Sequence, residues 1–289
     1  MLKINTFLLI TLVVLGVCFS LKFFINNKGK NEIAEMLTKH KQEKLSSNSQ
    51  ITKEKVTLIT IYDNFSFNPE LKTGWGFACL IKYQDKNILF DTGAESSTLL
   101  SNMEKLEIDP DQIDIIVLSH NHHDHTGGLF GLLKENSQVK VFLPQSFPQS
   151  FKDQVEDYGS TVVEIDQFSP IINGVYSTGQ LGISIKEQSL IVDSNKGLVI
   201  LTGCAHPGIM KIIKRVKANL DKKIYLVMGG FHLSSASDSQ LNQIIKEFSQ
   251  LGVEKAAPCH CSGERCRQLF KEKYGNNYLE NGVGKIIKI

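Results

Sequence analysis

What most limits the fold of this chain is six residues, His120-Asn121-His122-His123-Asp124-His125, set directly behind the apolar run Ile113–Leu118 and followed by Thr126-Gly127-Gly128. Four imidazoles and a carboxylate packed so closely are poor core material, because each buried polar group needs a partner. A freely solvated loop, in turn, has no reason to begin at the end of a buried strand and finish in a glycine pair at a helix start. Imidazole nitrogen and carboxylate oxygen are the ligands of zinc and similar borderline metals. The stretch therefore reads as part of a metal site at the carboxyl end of a strand, where ligand sites of α/β folds gather.

The other histidines follow the same logic. Of the eight in the chain, His40 alone lies in the polar N-terminal region. His206 comes after Leu198–Thr202, His232 after Ile224–Met228, and His260 after Lys255-Ala256-Ala257-Pro258. Further apolar, β-branched runs at Val56–Tyr62, Phe77–Tyr83, Ile88–Phe90, Val139–Leu143, Ile183–Ile185, Leu190–Val192 and Ile286–Ile289 predict strands. Ser97–Leu106, Gly128–Lys134, Pro207–Leu220, Ser239–Leu251 and Glu264–Tyr274 predict helices. The pattern is that of an α/β chain with sheet segments in both halves and histidines beyond four strand ends.

Charge and composition exclude other classes. With 42% hydrophobic and 21% charged residues the chain is neither disordered nor a disulfide scaffold. Residues 1–54 carry eight Lys/Arg against four Asp/Glu, whereas residues 55–289 carry 24 against 26. A slightly acidic body lacks the electrostatic footprint of a nucleic-acid binder. No nucleophile elbow, P-loop or dinucleotide fingerprint occurs.

Phe7–Leu21 is uncharged and apolar, and Phe23–Ile25 prolong it. Roughly 20 such residues span a bilayer, so residues 1–26 are expected to form a membrane anchor or a secretory signal. Residues 27–54 are expected to form a polar tether, and 55–289 the catalytic domain. The side of the membrane and the oligomeric state stay open.

Phe90-Asp91-Thr92-Gly93, the spacing His120-x-His122-x-Asp124-His125 and the later histidines together resemble the metallo-β-lactamase superfamily. Thr202-Gly-Cys-Ala-His206-Pro-Gly, Gly229-Gly-Phe-His232 and Pro258-Cys-His260-Cys-Ser-Gly263 resemble one branch, which includes the dihydropterin ribofuranosylaminobenzene phosphate synthases. The resemblance implies an αββα sandwich of two similar halves, with the metal site at one edge between the sheets. It implies one or two divalent ions, zinc before iron or manganese. His120, His122 and His206 would hold one, and Asp124, His125 and His260 the other. Asp91 would accept an N–H from a ligand histidine and fix its ring. Asp124 and His232 are the expected catalytic residues, although for His232 the roles of ligand, substrate-facing acid and buried structural residue all stay open. The aspartate that bridges the metals elsewhere in the superfamily is replaced by Gly229-Gly230-Phe231-His232. Cys204, Cys259, Cys261 and Cys266 lack paired CxxC spacing and read as supporting thiols. The expected activity is hydrolysis of a small phosphoester or ester by metal-activated water. The alternatives are a synthase-like transferase and a metal- or ligand-binding module without turnover.

Overall fold

Within residues 55–289, which the computed structural model describes, the apolar runs become strands with two buried faces. The first sheet holds β1 (Val56–Tyr62), β2 (Ala78–Tyr83), β3 (Lys86–Phe90), β4 (Ile115–Val117), β5 (Lys140–Pro144) and β6 (Thr161–Ile165). The second holds β7 (Ser169–Ile172), β8 (Val175–Ser177), β9 (Leu190–Ser194), β10 (Gly197–Thr202), β11 (Ile224–Gly230) and β12 (Val253–Cys259). The final strand, β13 (Ile286–Lys288), returns to the first sheet, giving the orders β13-β1-β2-β3-β4-β5-β6 and β12-β11-β10-β9-β8-β7.

Side chains alternate between layers, as a period of two requires. Ile88 and Phe90 of β3, with Val199 and Leu201 of β10, belong to one cluster drawn from both sheets. Leu89 belongs instead to a cluster with Leu99, Leu129 and Leu132, which lie on the helices Ser96–Lys105 and Leu129–Glu135. Leu198 and Ile200 join a third cluster with the helices Ile209–Asn219, Asp238–Gln250 and Glu264–Tyr274. Helix, sheet, sheet and helix thus stack around three cores, the αββα sandwich expected. The strands that feed the site are parallel where it matters: β3 beside β4, and β10 beside β11 beside β12.

Several elements depart from expectation, among them β8 and the helix Gln149–Asp157, which the sequence did not announce. Ile183–Ile185 is an irregular bend, not a strand, and Ile183 is 91% exposed. β6 and β7 are half-exposed edge strands, too weakly apolar to stand out. β12 was hidden by Glu254, Lys255 and Pro258, which the edge of the second sheet tolerates.

The membrane expectation is corrected. Among the described residues no helix is long and apolar enough to cross a bilayer. The longest, Asp238–Gln250, has 13 residues and rises about 20 Å against the ~30 Å hydrocarbon core. The segments read as anchor, 1–26, and tether, 27–54, lie outside the described residues, and membrane attachment is not retained.

Candidate metal centre

Five strand ends meet at the site, and the chain turns sharply after four of them. After β3, Asp91 adopts φ 58°; after β10, Ala205 adopts φ 62°; after β11 and β12, His232 and His260 adopt φ 53° and 49°. β4 runs into Ser119 and the histidine stretch. Left-handed backbone at a non-glycine residue costs about 1–3 kcal/mol each and persists only where its surroundings enforce it. Four such residues meet at one place.

Three groups of donors result; two take residues from the histidine stretch, and the third is Cys204, His232 and Cys261. His120 is wholly buried; its Nδ1 lies 2.9 Å from Ser119 Oγ and its Nε2 has no hydrogen-bond partner. His206 Nε2 is also buried and unpartnered. These two rings lie 4.8 Å apart, and the His122 ring packs on both at 4.6 and 4.9 Å. A buried nitrogen left unpaired costs about 1–3 kcal/mol, so two of them facing one another suit a cation. In the second group, Asp124 Oδ2 lies 3.6 Å from His125 Nε2 and 3.4 Å from His260 Nε2. Ligands about 2.0–2.2 Å from a shared tetrahedral ion sit roughly 3.4 Å from each other. Both donor sets fit a divalent metal.

Supporting residues fix the rings. Asp91 Oδ2 lies 2.7 Å from His125 Nδ1 and accepts from Ser119 Oγ at 2.7 Å, while its Oδ1 accepts from the Ser119 amide at 2.6 Å. His260 Nδ1 lies 3.0 Å from Asn64 Oδ1, and the Trp75 ring stands 5.1 Å from the His260 ring. Glu187, buried, accepts from the amides of Cys204, Ala205 and His206 at 3.0, 2.8 and 2.8 Å. That carboxylate clamps the whole turn that carries His206.

The electrostatics follow from burial among like groups. Burial, then the neighbouring imidazoles, hold His120 far below the ordinary histidine range. Burial and His232 bring His206 down to about 4, so both rings stay neutral and able to donate a lone pair. Burial opposes charge on His125, but Asp91 outweighs it and holds the ring up at about 9; a cation on Nε2 would replace that proton. Burial likewise opposes charge on Asp124, and the His260 hydrogen bond and adjacent rings overcome it, keeping the carboxylate ionised. The Cys204 thiol, and after it the His232 hydrogen bond, hold the buried Cys261 thiol below the ordinary cysteine range.

Comparison with known proteins decides the lineage. Residues 76–207 match the model of the metallo-beta-lactamase superfamily. The chain is 32% identical to a 7,8-dihydropterin-6-methyl-4-(beta-D-ribofuranosyl)-aminobenzene-5'-phosphate synthase of Methanocaldococcus jannaschii, over 81% of this chain and 98% of that one. The chain belongs to the metallo-beta-lactamase superfamily. An uncharacterized protein of the same archaeon is 30% identical over 74% of this chain and 93% of its own. Among solved structures, a metal-dependent hydrolase of the beta-lactamase superfamily is 27% identical, with TM-score 0.68, covering 81% of this chain and 99% of that one. The superfamily binds divalent metals, typically zinc, and acts on small-molecule substrates.

Against that superfamily pattern, His120, His122, Asp124, His125, His206 and His260 are all brought to one place. His123 is exposed and outside all three groups. His232 is exposed, which removes the buried structural role, and its ring stands 4.4 Å from that of His206. Its hydrogen bond to Cys261 raises its pKa. The sequence reading passed over Glu187 and Ser119, which act here through hydrogen bonds that no spacing pattern announces. It also read Cys204 as a supporting thiol, yet Cys204 Sγ lies among the donors of all three groups.

Proposed function

We propose that the chain is a metal-dependent hydrolase of a small phosphoester or ester. The observation that carries this reading is the meeting of five imidazoles and one carboxylate around two buried, unpartnered ring nitrogens. His120, His122 and His206 would hold one ion, and Asp124, His125 and His260 a second, with Asp91 fixing the His125 ring. Such ions, when bound, polarise the scissile group and lower the pKa of water toward neutrality. Asp124, kept ionised, is placed to accept a proton from the attacking water. His232, exposed at the rim with a raised pKa, is placed to return a proton to the leaving group. A cleft of about 180 Å³ opens beside His122, lined by Asn121, Ser146, Ser184, Ile185 and Lys186. It is smaller than the roughly 300–1,000 Å³ of ordinary ligand sites, which favours a small substrate, and the Lys186 ammonium favours an anionic one.

The test is a phosphoester and ester panel with the zinc-loaded chain beside His122→Ala and His232→Gln. We expect turnover in the wild type, loss of at least 10²-fold in His122→Ala, and a lost alkaline limb of the pH–rate profile in His232→Gln. Stoichiometric metal without turnover on any substrate would favour a binding module.

A second reading, a synthase-like transferase, is favoured by the 32% identity spanning nearly the whole of the named synthase. Formation of a coupled product from a dihydropterin donor and an aminobenzene ribosyl phosphate, with no hydrolysis of the panel, would replace the hydrolase reading.

A further inference from the structure

We propose that Cys204 is a metal ligand shared by the two ion positions, standing in for the superfamily's bridging aspartate; this rests on the two-ion reading above. Cys204 Sγ lies 3.2 Å from His125 Nε2 and 3.4 Å from His260 Nε2. A thiolate about 2.3 Å and an imidazole about 2.0 Å from one tetrahedral ion are roughly 3.5 Å apart, so these are the edges of a coordination shell. The same sulfur lies within 4.8 Å of the donor nitrogens of His120 and His206. It completes Asp124, His125 and His260 as a fourth donor, and it also joins His120 and His206. Among the described residues no other side chain belongs to both groups.

The end of β11, where the aspartate would stand, has no room for one. A Cβ on Gly229 would meet the Thr202 carbonyl oxygen at 2.0 Å, and one on Gly230 would meet the Gly203 carbonyl oxygen at 2.3 Å and Cys261 Sγ at 2.7 Å. The space is filled by the Gly203–Cys204 turn. That turn is pressed in from the other side, since a Cβ on Gly203 would meet Ser119 Oγ at 2.1 Å. The Glu187 carboxylate then holds it by three amides. The loss of the aspartate and the entry of the thiol are therefore one rearrangement.

On binding, the Cys204 S–H bond breaks, one sulfur–metal bond forms to each ion, and one proton leaves for solvent. No electron is transferred. A thiolate at this point selects zinc, cobalt or iron(II) over manganese and magnesium.

The test loads the full 289-residue chain with cobalt(II), counts ions per chain by mass spectrometry and records its near-ultraviolet spectrum, beside Cys204→Ser, Cys204→Asp and Cys261→Ser. We expect two ions and a thiolate-to-cobalt charge-transfer band in the wild type and in Cys261→Ser. Cys204→Ser should lose the band and one ion. Cys204→Asp should keep two ions without the band and gain affinity for manganese. Two ions with no band in the wild type, or a band lost in Cys261→Ser and kept in Cys204→Ser, overturns the proposal while leaving the two-ion reading intact. One ion with the band overturns the sharing. No bound ion overturns both readings. The wild-type and Cys261→Ser spectra decide the matter even if the Cys204 variants fail to fold.

Discussion

Glu187 does at the scale of one residue what a disulfide or a tight turn does elsewhere: it fixes three consecutive amides with a single carboxylate. Burial dominates its titration and, against the help of those amides, lifts it from 4.5 to about 7 in the metal-free chain. Between those values the folded chain retains a proton that the unfolded chain has released. Stability therefore falls as pH rises through that window, by up to about 3 kcal/mol. Urea unfolding of chelated wild type and Glu187→Gln from pH 4 to 8 should show a steeper decline in the wild type, and parallel profiles would refute it. The ligand histidines were legible in the sequence because their type and spacing admit little but metal chemistry. Glu187 was not legible, for it stands 17 residues from the nearest amide it holds and looks like any other acidic loop residue.

Among the elements, β10 and β11 govern the site, buried at every position and ending in the turn and the glycine pair that meet there. Restoring the superfamily's aspartate as Gly230→Asp is expected to fail, because its Cβ would overlap the Gly203 carbonyl and Cys261. Overpacking of this kind costs about 1–3 kcal/mol. The variant should show a lower unfolding midpoint and fewer bound ions; gain of metal affinity would contradict the packing argument. Elements with a continuous apolar run or a clear helical stripe, such as β1 and Ile209–Asn219, could be read directly from the chain. β6, β7 and β12 could not, because edge strands carry polar residues on purpose and so lose the alternation that marks a strand.

For the whole molecule, the donors come from both sheets, His120 to His125 behind the first and His206 and His260 behind the second. An ion there links the two halves and favours only the folded state. At one hundred times its Kd, each ion adds about 2.7 kcal/mol, and a domain of this size gains roughly 2–4 °C per kcal/mol. Stripping one ion with chelator should therefore lower Tm by roughly 5–10 °C, read by calorimetry, and no shift would mean the ions do not bridge the fold. A last consequence comes from β13 lying against β1. Val56 and Ile289 exchange backbone hydrogen bonds, the amide of Ile289 donating to Val56 at 2.9 Å. The described chain is thus topologically close to a ring. Joining those two ends with a short linker and cutting at the exposed Asp166–Gln167 link would write the second sheet before the first, and the circularly permuted protein should assemble the same set of donors.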